Sequence, residues 1–550
     1  MFAWRYRFLN RLCVPALVVA LLAAVSAAQA QVLVVGARSL DTLESAAAYA
    51  LKMAGRENLA KQLEGLLAAL TQGKGLKGID KTLPLGVYVH LPATGQSQPQ
   101  AVVFVPISDS KAVLELLEAL NLSPRKDRDD WYTLTNDQGQ SFYLRFHSRY
   151  ALVSNSQPAL EKPVAEAKLR ALLPADALVA ASLRIEEIPV ALKQQFLEQV
   201  IKEAREREKE KRPGETQAQY ELRMQTTEMA HRVLERVVHD TRALTVALSV
   251  DESQHQLALR ALLEPQPNTP MALALQSLGT QPARFAALVR PEDHFGAVLH
   301  LPAPAPLRQV LVRAAREGFA QGLQQAKDDQ DRLFRQHVFD AILAALDQPS
   351  WEGAIFLTAP GADGSRAAAL LLQTGRGRQW QSIFEQFVAK LPEEMRRLIE
   401  LNAAKVGNFT VHAIEVREGA DDLRRIFGSP RIYLMVSDDT LGIGAGKDLM
   451  RTLEERSKKS KTAATREAAA TALDLRLRMT ALAELERPDK TKPAAKEIAR
   501  EVFRGPYAGR DEVRLRLLVG EKVELRLDMD TPVLLFLFKS GRAGSAEAGL

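Results

Sequence analysis

The chain has 550 residues, 46% hydrophobic and 25% charged, with 73 basic against 67 acidic side chains and one cysteine. That length suits two large domains, and halves of about 250 residues each bury enough surface to need no disulfide or metal for a core. The composition excludes a collagen-like, disulfide-rich or globally disordered chain.

The first thirty residues read as a signal peptide. Arg5, Arg7 and Arg11 precede an apolar run from Val14 to Val25, and Ala28-Gln29-Ala30 gives a small-x-small cleavage pattern. The run is short for a bilayer span. Cleavage after Ala30 predicts a mature chain starting at Gln31 and directed to the periplasm or outside the cell. Removing the three arginines leaves 70 basic against 67 acidic groups. A net charge that small gives no reason to expect nucleic acid as a partner. Cys13, the only cysteine, leaves with the signal. The mature chain therefore has no thiolate zinc, no c-type haem and no cysteine nucleophile.

Val32–Val35 opens the mature chain as a short strand. Helices are predicted near 39–54 and 56–72, the second by Leu59, Leu63, Leu66, Leu67 and Leu70 at helical spacing. Residues 86–120 then show an apolar strand, a polar turn, a second apolar strand and an amphipathic helix. Residues 353–387 repeat this pattern without a gap, 267 positions later. Strands are predicted near 130–135, 141–146 and 150–154, and Phe142–Ser154 matches Ile432–Gly444 at an offset of 290. The larger offset predicts an inserted helix near Pro392–Lys405 in the second copy. A strand at 178–186 has its match near 472–479.

The copies then diverge. The first runs into a predicted helical hairpin over 189–240, turning at Pro213-Gly214. Lys202–Arg212 is charged at nearly every position, so this segment is expected to project into solvent. Both copies return to a strand hairpin, at 244–250 with 257–263 and at 513–519 with 523–527. Thr531–Phe538 (TPVLLFLF) is too short to span a membrane and reads as a buried strand. No transmembrane span is expected in the mature chain.

The predicted fold class is α+β: a tandem duplication of a domain with a mostly antiparallel curved sheet and helices packed on one face, plus a projecting hairpin in the first copy. The boundaries are a signal peptide over 1–30, a first repeat over 31–264, a proline-rich linker over 265–282, a second repeat over 283–538 and a disordered tail over 539–550.

No catalytic, cofactor-binding or metal-ligating set emerges. Gly442-Ile-Gly444-Ala-Gly446-Lys447 looks like a phosphate loop, but Leu441 stands where a glycine is needed and Asp448 where Ser or Thr would reach magnesium. A strand-to-helix turn is the better reading. The histidines show no HExxH, HxH or HxxxH spacing. His239-Asp240 and Asp293-His294 are neighbours whose side chains diverge, and His90 and His300 sit among apolar residues. Glu186-Glu187 and Asp438-Asp439 are acidic pairs without a partner set. Asp328-Asp329 and Asp331 lack the glycine and terminal glutamate of a calcium loop and fall mid-helix.

Duplicated layout and signal peptide together resemble large secreted bacterial proteins of the planctomycete type. The resemblance is architectural and implies no activity. Three functions fit: an exported, non-enzymatic envelope protein that binds another protein or a cell-surface polymer through the 189–240 hairpin; a carrier of an apolar, lipid-like ligand between sheet and helices; or a hydrolase with an unrecognised carboxylate site.

Overall fold

Runs with apolar residues at alternate positions form strands, and the short polar turns between them favour antiparallel pairing. The computed structural model describes residues 30–550 apart from 54–57, 59–64, 66, 67, 70, 74, 92–98, 172, 216, 280–282, 460–470, 486–494 and 546–550. The expected signal segment up to residue 29 and most of the helix expected over 56–72 lie outside the described residues. The chain forms two units, Met1–Arg207 with Val233–Met271 and Glu208–Arg232 with Ala272–Leu550.

The first unit holds β1 (Ala30–Ala37), β2 (Leu85–Leu91), β3 (Gln100–Pro106), β4 (Ser123–Arg128), β5 (Trp131–Thr135), β6 (Ser141–His147), β7 (Tyr150–Ser154), β8 (Val179–Leu183), β9 (Thr241–Asp251) and β10 (Gln256–Pro265). They pair antiparallel in the order β10-β9-β8-β1-β2-β3-β7-β6-β5-β4. Helices α1 (Leu40–Met53), α2 (Ser110–Ala119) and α3 (Glu166–Ala171) fall between strands. Helices α4 (Val190–Glu208) and α5 (Gln217–Asp240) connect β8 to β9, and α6 (Pro270–Leu278) follows β10.

In the second unit the elements run β11 (Phe295–Pro302), α7 (Ala305–Gln324), α8 (Asp329–Leu346), β12 (Ser350–Leu357), β13 (Ala368–Gln373), α9 (Gly377–Ala389), α10 (Glu393–Arg396), β14 (Ile399–Val406), β15 (Phe409–Glu415) and α11 (Ala420–Phe427). Then come β16 (Arg431–Val436), β17 (Thr440–Ala445), α12 (Leu449–Lys459), β18 (Thr471–Arg478), α13 (Met479–Leu485), α14 (Ala495–Val502), β19 (Glu512–Val519), β20 (Val523–Asp530) and α15 (Thr531–Ser545). These strands also pair antiparallel, in the order β20-β19-β18-β11-β12-β13-β17-β16-β15-β14. Strand for strand, that order repeats the first unit's.

The two units do not correspond without a gap. Tyr88 faces Val102, and Phe356 faces Ala369. Val102 and Ala369 are 267 apart, but Tyr88 and Phe356 are 268 apart. Both aromatic rings are wholly buried. Matching Gly86 to Gly353 would instead set Tyr88 against Ile355, which is 37% exposed. A one-residue slip moves a side chain to the other face of the sheet, so the gap lies between the two strands.

Helices cover both faces of each sheet, where one was expected. In the first unit Val34, Tyr88, Val102 and Leu152 pack with Leu160 and Leu169. Ala151, on the opposite side of β7 from Leu152, packs with Val113 of α2. In the second unit Phe356, Leu371 and Met435 pack with Leu449 and Leu453 of α12. Leu477, Val513 and Met529, on the other face, pack against α13, α14 and α15.

Several elements differ from the sequence reading. Thr531–Phe538 is helical, not a strand, and α15 runs to Ser545 through the start of the expected disordered tail. The expected linker contains α6. Residues 392–405 hold the single turn α10 and then β14; the longer insertion in the second unit is α11. The charged edge strand β4 (SPRKDR) carries no apolar alternation that would announce it. Asp328 is no mid-helix residue: it caps α8, accepting a 2.7 Å bond from Asp331 N–H.

Candidate functional site

Strands β12, β13 and β17 are apolar on both faces. One face carries the buried Ala354, Phe356, Ala369 and Leu371. On the other, Ile355 pairs with Leu370 and Leu370 with Ile443, while Leu357, Ala368 and Ala445 form the next row. That second face is the floor of an open cleft of about 600 Å3. Leu423 of α11 and Ile432 of β16 line one wall; Leu477 of β18 and Ala481, Leu482 and Leu485 of α13 line the other. Ile355, Ile443 and Leu482 remain 37%, 48% and 46% exposed. Exposed aliphatic side chains gathered in a concave site of this size are what a ligand pocket offers.

Among the described residues, His294 is the one polar side chain in the lining. Its Nδ1 is buried with no hydrogen-bond partner among the described residues. Burial, and then the nearby Arg366 guanidinium, hold its imidazole below the ordinary histidine range, so it is neutral at neutral pH.

Arg366 ties the two walls together. Its backbone N–H donates to Ile426 O of α11 at 2.9 Å. Its Nη2 ion-pairs with Glu484 of α13. The side chain is 9% exposed and its Nε has no partner among the described residues. Arg366 stands two residues before Ala368, just ahead of β13, and is itself outside the residues that line the cleft.

Asp511 fixes the start of α13. It accepts from Thr480 N–H at 3.2 Å and from the Thr480 hydroxyl, and takes Arg478 Nη1 at 2.9 Å. The Met479 N–H donates to the Asp511 carbonyl at 2.9 Å.

The glycines of the apparent phosphate loop serve packing. A Cβ on Gly442 would lie 2.5 Å from Leu371 Cδ2, and one on Gly444 2.5 Å from Leu449 Cδ2 and 2.7 Å from Ala368 O. Gly446 has φ +127° and lies against the backbone of Arg366 and Ala367. Lys447 is held by Asp363, so no anion cradle forms.

The other candidate side chains do not converge on one place. Asp439 pairs with Arg284, and Asp438 with Arg378 at 2.7 Å. Glu186 and Glu187 sit in a short 3-10 turn. His90 lies edge-on to Tyr88, and His300 is buried with Nδ1 3.3 Å from Glu352. Asp293 and His294 separate: Asp293 turns to Arg456 and His294 to the cleft. His239 lines a charged groove between α4 and α5, with Glu198, Lys202 and Glu235. Among the described residues, no three His, Cys, Asp or Glu side chains are placed to hold a metal ion, and no helix is long and apolar enough to cross a membrane.

No family model, curated protein or solved structure matches the chain. The cleft's own chemistry is therefore what bears on function. Sequence reading missed Arg366, Glu484 and Asp511, which look like ordinary surface charges. One signal was present: Gly353–Leu357 and Ala368–Leu372 are apolar at consecutive positions, the mark of strands with something apolar on both sides.

Proposed function

We propose that the chain is an exported, duplicated, non-enzymatic protein that carries an apolar ligand in the second unit's cleft. The single observation behind this is a concave site of about 600 Å3 lined by apolar side chains, with His294 as its only polar member among the described residues. Burying the exposed parts of Ile355, Ile443 and Leu482 favours association at about 25 cal/mol per Å2 of apolar surface removed from water. The matched strand orders support a tandem duplication, and the basic, apolar and small-residue segments of the first thirty residues support export.

Carriage is preferred to partner binding by the hairpin because many of the hairpin's charges are already engaged locally. Arg223 pairs with Glu208 and Glu215, Arg212 with Glu208, and Arg207 with Glu203.

The test is fluorescence titration of the full chain with diphenylhexatriene, a neutral apolar probe. Saturable enhancement is expected, weakened at least about tenfold in Ile443→Glu, because a carboxylate in the floor must be desolvated. Absence of saturable binding, or equal binding by the variant, refutes the reading.

A further inference from the structure

Polar atoms beside the cleft, next to its lining residues Ala368 and His294, are left incomplete. A guanidinium presents Nε and one Nη side by side, a fork that matches the two oxygens of a carboxylate. In Arg366 that fork is half filled: one Nη holds Glu484, and Nε has no partner among the described residues. The side chain is nine-tenths buried, so the unmet donor is not left to bulk water. His294, the one polar lining residue among those described, adds a buried Nδ1 that likewise has no partner among them. Glu484, in contrast, is 38% exposed on the short helix α13 and can turn to solvent.

We propose that the cleft takes a long-chain carboxylate, a fatty acid anion, with its chain over Ile355, Leu370 and Ile443 and its head on the Nε and Nη2 of Arg366 beside His294. This rests on the apolar-carrier reading above. Glu484 is then a stand-in for the ligand head: it satisfies Arg366 in the empty protein and is displaced when the head arrives. His294 completes the site as a neutral donor through Nδ1–H, a tautomer open to it because Nδ1 has no partner among the described residues.

The experiment is displacement of bound diphenylhexatriene by hexadecanoate and by hexadecanol, which share a chain length and differ in the head. Hexadecanoate is expected to displace the probe at a concentration at least about tenfold lower, the scale of one charge-assisted hydrogen bond. Arg366→Met should abolish that preference, and retained probe binding would show that the cleft is intact. Because Arg366 also joins the cleft walls, Glu484→Gln provides a second readout. It removes the competing carboxylate, so it should tighten hexadecanoate several-fold and leave hexadecanol unchanged. Equal displacement by acid and alcohol, or an unchanged preference in both variants, overturns the carboxylate assignment while the apolar cleft stands. Failure of diphenylhexatriene to bind the unmodified chain removes the cleft reading and this assignment together.

Discussion

Arg456 and Asp293 form a two-armed ion pair inside the second unit, with Nη2–Oδ1 at 2.5 Å and Nη1–Oδ2 at 2.8 Å. Both side chains are almost wholly buried. The guanidinium also donates to Leu288 O and lies 4.2 Å over the Phe356 ring. Asp293 in turn accepts from Arg290 N–H at 2.8 Å. A buried charge pair contributes little net stability over an apolar replacement, yet losing one partner strands the other charge. Asp293→Ala should therefore destabilise the unit by about 3–5 kcal/mol. Replacing both residues, with Leu and Met, should recover most of that loss. Urea unfolding of the three variants checks this; a double variant no better than the single one would contradict it.

The turn between α4 and α5 is closed by Arg223, which reaches Glu215 and Glu208 and donates to Glu210 O at 3.0 Å. Hydrogen bonding to Arg223 lowers the Glu215 carboxyl to about 2, from an ordinary 4.5. A carboxyl with a depressed folded value favours the closed turn above its unfolded value. That contribution fades as pH falls from 4.5 toward 2. Protection factors against amide exchange at residues 208–215 and 217–223 should thus hold at pH 5 and fall at lower pH. In Arg223→Gln that fall should move up to the ordinary carboxylate range. An unshifted profile would mean that Arg223 does not set the titration.

Much of this fold was legible in the sequence, and the failures share physical causes. Alternating apolar positions point to the strands, and the matched strand–strand–helix patterns point to the strand order that the two units share. One terminal strand of each sheet, β4 and β14, is not legible, whereas β10 and β20 at the opposite ends are. β4 is nearly all charged, and β14 was read as helix because IELNAAKV has no clean period of two. Edge strands face water along one side and bear charges that blunt pairing with other chains. Thr531–Phe538 failed for another reason: a short apolar run does not separate strand from helix. In α15, Val533 and Phe536 are buried while Leu534, Leu537 and Phe538 stay exposed, so the helix is apolar around most of its circumference. The cleft was illegible because its floor and walls come from segments far apart in the chain. Only strand register brings Ile355, Leu370 and Ile443 side by side.

Gly444 separates a packing role from phosphate binding. Its place on β17 leaves a Cβ 2.7 Å from the Ala368 carbonyl and 2.5 Å from Leu449. The carbonyl belongs to the paired strand and cannot yield without distorting the sheet. Gly444→Ala should cost about 1–3 kcal/mol as overpacking, read as a lower urea midpoint. Adding ATP and magnesium should leave the midpoint of the unmodified chain unchanged. A rise proportional to the logarithm of ATP concentration would instead reinstate a phosphate site.

Asp511 controls the wall of the cleft from behind. It is 2% exposed and supplies the acceptors for the start of α13, the helix that places Ala481, Leu482 and Leu485 over the floor. Asp511→Ala removes a helix cap, an effect of about 1 kcal/mol on the helix. It also frees Arg478, whose remaining acid is Glu512 at 3.6 Å. The β-strand floor does not depend on this carboxylate, so the cleft should persist with a looser wall. Diphenylhexatriene should then dissociate several-fold faster in stopped-flow mixing, with its association rate little changed. Hydrogen exchange should rise over 479–485 and stay unaltered in β12 and β13. Faster exchange throughout the unit would show instead that Asp511 supports the fold as a whole, and an unchanged dissociation rate would show that α13 does not retain the ligand.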